Sequence, residues 1–316
     1  MNENKLILSK FKEARQAGVA AALATIVKVT GSSFRRSGAK MLITSNGDIS
    51  GSVSGGCLER DLIRRAVQAI DKLEPMLIHY DTRADRDDNE DETLIQSAGT
   101  GCEGVIDIFI NPVPEVHLTS LESAHCGKKN VEFSIVLPNG EKFRDILFPP
   151  VGLIVFGAGH DAIPLVRLAG EIGWETTVVD CHSSFPMPRR LFDKVDEFIS
   201  CDPGQILDCV ELTSESIGFL MTHNYEHDRI ILKQIFKHPI KYLGMLGPRA
   251  RSERLLSEIE RENIRIPWET LHFPMGLDIG GDTPQAVALS ALAEAQAVLS
   301  GRKGGFLSER KGPIHG

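Results

Sequence analysis

The sequence predicts an α/β protein, with a parallel sheet in its C-terminal half and a smaller α+β domain before it. Three observations predict the sheet. An apolar run, Val151 to Phe156, ends in the turn Gly157-Ala-Gly159-His-Asp-Ala; a stretch of helical spacing follows; and a second apolar run ends on Asp180. Strand, glycine turn, helix, strand and acid form a βαβ unit of the dinucleotide-binding kind. We therefore expect a Rossmann-like domain over residues 151–300.

The glycine turn has the residues that a phosphate-binding turn requires. Gly157 allows a tight turn, and Gly159 lets a phosphate approach the backbone amides. The helix that follows presents its unpaired N–H groups and the positive end of its dipole at the same place. Asp180 lies 23 residues after Gly157, where a ribose-binding carboxylate is expected. Together with His160 in the turn, these residues form the centre of a predicted cofactor site.

Further candidate binding residues follow the other predicted strands of this half, over 194–200, 216–221 and 241–246. Open parallel sheets bind ligands outside the carboxyl ends of their strands. The candidates at these ends, and in a glycine-rich segment before the last helix, are His182, Thr222, His223, Arg249, Asp278 and Asp282. His223 and His227 are four residues apart, but His223 precedes the predicted helix and further zinc ligands are not evident. We predict no protein-bound metal and no catalytic residue.

Composition is that of an ordinary soluble globular protein. The chain has 316 residues, 42% hydrophobic and 25% charged, which predicts about two domains with separate cores. A formal net charge of −8 argues against a general nucleic-acid binder or a protein of anionic membranes. No apolar run approaches the roughly 18 residues that span a bilayer. Residues 1–18 have helical spacing without the apolar core of a signal peptide.

The cysteines indicate a reducing compartment. Six of them are scattered at positions 57, 102, 126, 181, 201 and 209, without CxxC spacing. Such a distribution fits neither a disulfide framework nor a zinc site. We therefore expect reduced thiols in a cytoplasmic protein.

The N-terminal half is predicted to begin with a helix over 3–17 and a strand over 19–29. A loop of small polar residues follows, in which Arg35 and Arg36 suit an oxyanion or phosphate. A solvated basic loop explains the same residues equally well. Asn46-Gly47 then predicts a hairpin turn between two short strands.

A second glycine-rich turn opens the next predicted helix. Gly55 and Gly56 are expected to leave backbone amides exposed, with Cys57 and Glu59 near the first helical turn. The positive end of a helix dipole favours a thiolate, so Cys57 is a candidate soft ligand or sulfur nucleophile. The alternative is a small residue buried under a tight turn. Cys102 lies in another Gly-Cys turn, and the two thiols converge if these turns fold side by side.

Four segments are predicted along the chain. They are an N-terminal domain over 1–115, a β-rich connecting segment over 116–150, the Rossmann-like domain over 151–300 and a disordered tail over 301–316. Pro149-Pro150 is the expected linker into the Rossmann-like domain. The last helix is rich in alanine and poor in charge, which suits a dimer contact.

Eight stretches together resemble one family, the xanthine dehydrogenase accessory factors (XdhC/CoxI). They follow the family's order along nearly the whole chain, so the set is specific although no single stretch is. The stretches are TGSSFRRSGAKM, GSVSGGCLE, GTGCEG, VFGAGHDAIPL, VVD, MTHNYEHD, YLGMLGPRARSERL and PMGLDIGGDTPQAVALSALAE.

This resemblance implies an XdhC/CoxI-type N-terminal domain, a C-terminal Rossmann domain and a chaperone rather than a catalyst. Such a factor binds molybdenum cofactor (molybdopterin), free or as a dinucleotide, supports its sulfuration and delivers it to the apoenzyme of a molybdenum hydroxylase. A cysteine desulfurase and a second copy of the chain are the other expected partners. On this hypothesis the turn at Gly157 seats the phosphate and the turn at Cys57 faces the dithiolene end.

Two alternatives stay open. An NAD-dependent oxidoreductase would bind a nicotinamide nucleotide in the Rossmann-like domain and use an acid or base such as His223. Asp180 would then favour NAD over NADP, although the strand ends show no dehydrogenase signature. A purely scaffolding partner of a hydroxylase would have an empty, degenerate pocket.

Overall fold

The chain forms two compact units. The computed structural model describes residues 3–31, 33–56, 58–81, 94–96, 104–181 and 188–311, with the backbone alone over 94–96. One unit spans Glu3–Pro149 and the other begins at Pro150; they are called the N-terminal and C-terminal units. Three candidate binding residues, Cys57, Cys102 and His182, lie outside the described residues. Among the helices described, none is both long and apolar enough to cross a bilayer.

The N-terminal unit is built on a six-stranded, largely antiparallel sheet. Its elements are α1 (Glu3–Gln16), β1 (Ala21–Gly31), β2 (Lys40–Thr44), β3 (Ile49–Gly51), α2 (Glu59–Lys72), β4 (Met76–Asp81), β5 (Leu94–Gln96), β6 (Gly104–Asn111), α3 (Glu115–Gly127), β7 (Val131–Val136) and β8 (Lys142–Leu147). The sheet order is β3-β2-β1-β6-β4-β5, and only β4 and β5 are parallel. Strands β7 and β8 form a separate antiparallel hairpin.

Both faces of this sheet are covered, which explains the nearly continuous apolar sequence of β1. Successive side chains of a strand point to opposite faces. Ala22 and Ala24 therefore join the core that includes α2, while Ala21 and Leu23 join the core formed with α1 and α3. The strand that the sequence predicted as apolar and β-branched is thus the centre of a three-layer unit.

The segment 116–150 differs from the β-rich connection that the sequence suggested. Its first part is helix α3, which adds Leu118 and Leu121 to the same core as β1. Only the part after residue 130 is extended. The helical spacing of these leucines is short, and the Thr and Ser between them have weak helix propensity, so the pattern did not favour a helix. The α3–hairpin segment belongs to the N-terminal unit.

His117 on α3 is a buried imidazole. Its ring stacks on Phe133 with centroids 3.9 Å apart, and its Nε2 has no hydrogen-bond partner among the described residues. Burial, and to a lesser degree the positive charge of Lys40, lowers the pKa of His117 to about 3. The folded protein therefore keeps this histidine neutral where the unfolded chain, with a pKa near 6.5, binds a proton.

Acid should consequently destabilise the N-terminal unit through His117. Its free energy of unfolding falls as pH drops below about 6.5, because only the unfolded chain takes up the proton. The loss is about 2 kcal/mol at pH 5, at roughly 1.4 kcal/mol per pH unit. His117→Phe, which keeps the stacking, should remove this dependence, and the exposed His238 replaced by Gln should not. Hydrogen exchange of α3 and β1 amides at pH 7 and pH 5 measures it; equal slopes for wild type and His117→Phe would contradict it.

The C-terminal unit alternates strands and helices. Its elements are β9 (Gly152–Phe156), α4 (Ala162–Glu171), β10 (Glu175–Asp180), β11 (Glu197–Ser200), α5 (Ile206–Cys209), β12 (Ile217–Leu220), α6 (Tyr225–Ile235), β13 (Tyr242–Met245), α7 (Arg249–Arg261), β14 (Leu271–His272) and α8 (Pro284–Leu299). Short 3₁₀ turns occupy Arg189–Leu191, Pro203–Gln205 and Leu307–Glu309.

All six strands of the C-terminal unit are parallel, in the order β11-β10-β9-β12-β13-β14. Counted along the unit, this is the order 3-2-1-4-5-6 of a doubly wound Rossmann sheet. The predicted fold class is therefore confirmed. The order reverses between β9 and β12, and this switch point is where such sheets bind their ligands. The glycine turn after β9 lies at the same place.

Candidate functional site

Gly157 ends β9 where that strand meets the end of β12. Its φ is +120°, a conformation that side-chain-bearing residues rarely adopt. An added Cβ would lie 2.4 Å from the carbonyl oxygen of Met221 and 2.8 Å from the nitrogen of Thr222. The Gly157 N–H donates to the carbonyl oxygen of Val179 on β10, at 2.8 Å. Only glycine fits between these two neighbouring strands, as the sequence predicted.

Gly159 brings the turn against a carboxylate and an imidazole. An added Cβ would lie 2.5 Å from Asp161 Oδ1 and 3.3 Å from His223 Cδ2. His223 Nε2 and Asp161 Oδ2 are 2.8 Å apart, and this bond joins the turn after β9 to the turn after β12. Asp161 Oδ1 is buried and has no hydrogen-bond partner among the described residues. The switch point is thus closed by an acid–imidazole pair.

His223 has an unusual backbone conformation. Its φ is +56°, in the left-handed region, where a non-glycine residue costs of order 1 kcal/mol. Its side chain is 60% exposed, so burial does not hold it in place. Such conformations cluster at binding sites. We infer that the bond to Asp161 fixes the ring at the mouth of the crevice.

Helix α4 begins in this turn without a side-chain cap. Asp161 precedes the helix, but its carboxylate makes no capping hydrogen bond and contacts His223 instead. The Ala162 N–H donates to the Gly159 carbonyl oxygen, at 3.1 Å. The first turn of the helix can therefore accept an outside anion. The negative charge of Asp161 opposes an anion there, and a protonated His223 offsets that charge.

Asp180 ends β10, the strand beside β9, as the sequence predicted. The residue is only 2% exposed, and its carbonyl oxygen accepts a hydrogen bond from the Cys201 N–H at 3.1 Å. The carboxylate therefore belongs to the floor of the crevice and not to its open rim. Its role as a ribose ligand stays a prediction.

Thr222 belongs to an internal network. Its hydroxyl donates to Asp228 Oδ1 at 2.5 Å, and Asp228, which is almost fully buried, pairs with the Arg251 guanidinium at 2.7 Å. Asn224 caps α6 by accepting from two amides of its first turn. These bonds join the turn after β12 to α6 and α7. We infer that Thr222 positions its neighbour His223, whereas its proposed contact with a ligand stays a prediction.

The remaining candidates of the C-terminal unit are exposed. Arg249 is the first residue of α7 and lies over the Phe273 ring, 5.8 Å from its centroid. Asp278 and Asp282 precede α8, where Thr283 rather than Asp282 caps the helix, since its side chain accepts from the Ala286 N–H. Within the described part of the chain, no hydrogen bond or ion pair joins these three candidates to the glycine turn.

Glu294 on α8 fixes the segment that carries Asp278. It accepts from the Tyr242 hydroxyl at 2.5 Å and the Gly276 N–H at 2.7 Å, and it pairs with His272 at 3.1 Å. Burial alone would raise the pKa of this carboxyl, but the three hydrogen bonds together hold the pKa below its usual value. The sequence pattern did not indicate this network, because a single acid on an alanine-rich helix resembles a surface residue.

In the N-terminal unit, Ser54 and Glu59 organise the second glycine turn. The Ser54 hydroxyl donates to Glu59 Oε2 at 2.5 Å, and the Ser54 N–H donates to Glu59 Oε1 at 3.1 Å. The Gly56 N–H donates to the Ser54 hydroxyl oxygen at 3.2 Å. Two amides that we expected to be exposed are therefore already bonded within the turn. Gly55 and Gly56 are exposed, and Gly56 has a φ of +112°.

The loop with the two arginines lines a cavity of about 350 Å³. Arg35 pairs with Glu3 of α1, and Lys40 pairs with Asp145 of β8 at 2.7 Å. Arg36 also lines the cavity and is exposed. Acids thus offset the charges of Arg35 and Lys40 at this cavity. Anion binding by Arg35 and Arg36 stays a prediction.

The structure brings together Gly157, Gly159, Thr222 and His223, which the sequence had placed at separate strand ends. It also adds Asp161, which we did not predict as a site residue. An acid before a helix usually indicates an N-cap, and that pattern concealed the contact with a histidine 62 positions away. The neighbouring His160 is exposed in the same turn. Over the described residues, no cluster of His, Cys, Asp or Glu side chains is arranged to hold a metal ion.

Two family models match the chain. Residues 153–295 match the XdhC Rossmann domain, and residues 14–81 match the XdhC and CoxI family. The first match contains the crevice between β9 and β12, and the second contains the turn of Ser54 and Glu59.

Similar proteins are found along nearly the whole chain. A Bacillus subtilis protein, named as a probable subunit of xanthine dehydrogenase, is 30% identical over 87% of this chain and 92% of its own length. The Escherichia coli molybdenum cofactor insertion chaperone PaoD is 23% identical, over 94% of this chain and 89% of its own length. A crystal structure from Bacillus halodurans, described as a xanthine dehydrogenase, superposes with a TM-score of 0.78 at 28% identity, covering 96% of this chain and 97% of that one.

Proposed function

Because the chain belongs to the XdhC and CoxI family, we propose that it is an accessory factor that binds molybdenum cofactor and delivers it to a xanthine dehydrogenase-type molybdenum hydroxylase. The cofactor is cargo here. One observation carries the proposal: the glycine-lined start of α4 opens at the switch point of the sheet, in a chain similar along its length to a cofactor insertion chaperone.

The start of α4 fits the phosphate end of the cofactor. Gly159 has no side chain to fill the space beside His223, and the first turn of α4 has no side-chain cap. A phosphate is bound well by such a helix start. His160 and His223 are exposed at the same turn, and both supply N–H donors for an anion. Asp180 is the proposed ribose ligand if the cofactor carries a nucleotide.

The pair of Asp161 and His223 controls the charge at this position. A phosphate and the Asp161 carboxylate repel each other, so binding is favoured when His223 carries a proton between them. Delivery of the cargo then requires only a modest change, such as loss of that proton or movement of the exposed ring. This provides reversible binding, which a carrier needs.

Asp161→Asn should therefore bind the cofactor more tightly than wild type. The amide keeps a hydrogen-bonding partner for His223 while removing the negative charge, and about 1.4 kcal/mol of relieved repulsion corresponds to roughly tenfold in Kd. Quenching of intrinsic fluorescence during cofactor titration measures the change. Asp193→Asn, an exposed acid paired with Arg167 in the same unit, is the matched control. Weaker or unchanged binding by Asp161→Asn would contradict the charge role.

The finer parts of the proposal rest on the family. They are support of sulfuration with a cysteine desulfurase as partner, soft-sulfur contact by Cys57 and Cys102, a homodimer and a cytoplasmic location. A thiol at the start of α2 would have its thiolate favoured by the helix dipole, which supports a sulfur role for Cys57. The proposed accompanying residues of the N-terminal unit are Arg35, Arg36, Gly55, Gly56 and Glu59.

An NAD-dependent oxidoreductase is the second candidate. The strand order and the acid at the end of β10 favour it, since both are features of nicotinamide nucleotide sites. It requires a group that moves a proton on the substrate, for which His223, held by Asp161, is the candidate. Turnover of NADH with any small carbonyl compound would favour this function.

Transfer of the cofactor tests the main proposal. The purified chain, loaded with molybdenum cofactor and freed of excess by gel filtration, is mixed with the cofactor-free form of a molybdenum hydroxylase. We expect hydroxylase activity to appear faster than with the same quantity of free cofactor. Equal rates with and without the chain would exclude delivery. Gly159→Val, which fills the space beside His223, should abolish the advantage.

A further inference from the structure

Three cysteines meet beside the candidate site. Asp180 and Ser200 are paired residues at the ends of the parallel strands β10 and β11, and Cys181 and Cys201 come directly after them. Neighbouring strands lie about 4.8 Å apart, so the two cysteines are adjacent. The Cys201 N–H donates to the Asp180 carbonyl oxygen, which holds this register one residue further. The Cys201 thiol lies within hydrogen-bonding reach of the thiols of both Cys181 and Cys209.

The three thiols differ in exposure. Cys181 is 3% exposed in the core shared with α6 and α7, Cys201 is half-buried and Cys209 is exposed at the end of α5. Cys209 is therefore the thiol that a dissolved oxidant reaches. Cys201 is the thiol that it contacts. Sequence spacing did not indicate this cluster, because separations of 20 and 8 residues match no cysteine motif.

We propose that Cys201 and Cys209 are a reversible dithiol–disulfide pair, oxidised by hydrogen peroxide through the exposed Cys209. The Cys209 sulfur attacks peroxide and becomes a sulfenic acid, releasing water. The Cys201 sulfur then attacks the Cys209 sulfur, the S–O bond breaks, the S–S bond forms and a second water leaves. In total, two thiols lose two electrons and two protons, and one peroxide becomes two waters.

The surroundings support a pair that is stable until it is challenged. Burial, followed by contact with Cys181, raises the pKa of Cys201 to about 12, and burial with the nearby Asp180 charge raises the pKa of Cys181 to about 11. Both inner thiols are therefore protonated at neutral pH and react slowly with peroxide by themselves. Once Cys209 is oxidised, contact supplies the high local concentration that the second step requires. Only the short segment between the two cysteines, with the four-residue α5, needs to adjust.

Peptide mapping of the full-length protein tests this pair. The reduced protein is treated with peroxide under native conditions, remaining thiols are alkylated, and cleavage before aspartate places each cysteine on its own peptide: 180–192, 196–201 and 208–227. We expect peptides 196–201 and 208–227 to be joined, in nearly one pair per chain, and to separate on reduction. Cys209→Ser should abolish the joined peptides, while Cys126→Ser, which removes an exposed thiol of the N-terminal unit, should leave them unchanged.

Three results would overturn the proposal. One is the absence of joined peptides at peroxide levels that oxidise Cys209. Another is a cross-link between peptides 180–192 and 196–201 alone. The third is irreversible sulfinic acid at Cys209 as the main product in wild type. Cys201→Ser provides a positive check, because without its partner Cys209 should accumulate as the sulfenic acid, which a dimedone probe traps.

Discussion

Gly157→Ala is expected to destabilise the C-terminal unit by about 3 kcal/mol and to abolish cofactor binding. The φ of +120° is strained for alanine, which costs about 1–2 kcal/mol. The new Cβ would also lie 2.4 Å from a backbone carbonyl oxygen, and overpacking of that kind adds about 1–3 kcal/mol. Backbone atoms cannot swing aside as a side chain does. The ends of β9 and β12 must separate, and the crevice between them loses its shape.

Urea unfolding followed by tryptophan fluorescence measures this effect in the correct unit, since both tryptophans, Trp174 and Trp268, lie after Pro150. Gly170→Ala is the matched control. Gly170 lies within α4, its φ is not positive, and an added Cβ would meet nothing within 4 Å. That substitution should be neutral or stabilising by up to about 1 kcal/mol. Equal midpoints for wild type and Gly157→Ala would contradict the geometry of the turn.

Lys40→Met should destabilise the N-terminal unit by about 3 kcal/mol. Lys40 is nearly fully buried, pairs with Asp145 at 2.7 Å and donates to the Gly38 carbonyl oxygen at 2.6 Å. Removing one member of a buried pair leaves the other charge without compensation, at a cost of about 3–5 kcal/mol. We expect the lower end of that range, because Asp145 retains some contact with water.

A double substitution separates this explanation from lost packing. Lys40→Met combined with Asp145→Leu removes both charges, and it should restore at least half of the stability that the single substitution loses. Lys10→Met, which breaks an exposed pair with Glu13, should have no measurable effect. Hydrogen exchange of β1 and β2 amides reports the change in this unit. A double variant as unstable as the sum of both single variants would contradict the ion-pair account.

Local patterns predicted the C-terminal fold well because each element carried its own signal. The run before Gly157, the glycine turn and the acid at Asp180 each fix a short piece of chain, and the right-handed βαβ connection leaves few ways to assemble them. Strand β14 was missed because two residues, Leu271 and His272, are too few for a period to be recognised. Helix α3 was missed because its stability comes from packing on β1 rather than from its own propensity.

The site was less predictable than the fold because its contacts join distant residues. Asp161 and His223 meet only through the strand order, and Cys181, Cys201 and Cys209 only through the parallel register of β10 and β11. Sequence spacing contains neither distance. Residues that were singled out by type, such as Thr222, are held within the protein by partners that no motif includes.

Binding of molybdenum cofactor in competition with NAD tests the central claim most directly. The chain is mixed with cofactor, gel-filtered, and the retained pterin is quantified after oxidation to its fluorescent form, with and without millimolar NAD. The account predicts close to one pterin per chain, little affected by NAD, and almost none for Gly157→Ala although Gly170→Ala binds normally. No retained pterin in wild type, together with tight calorimetric binding of NAD, would contradict the account.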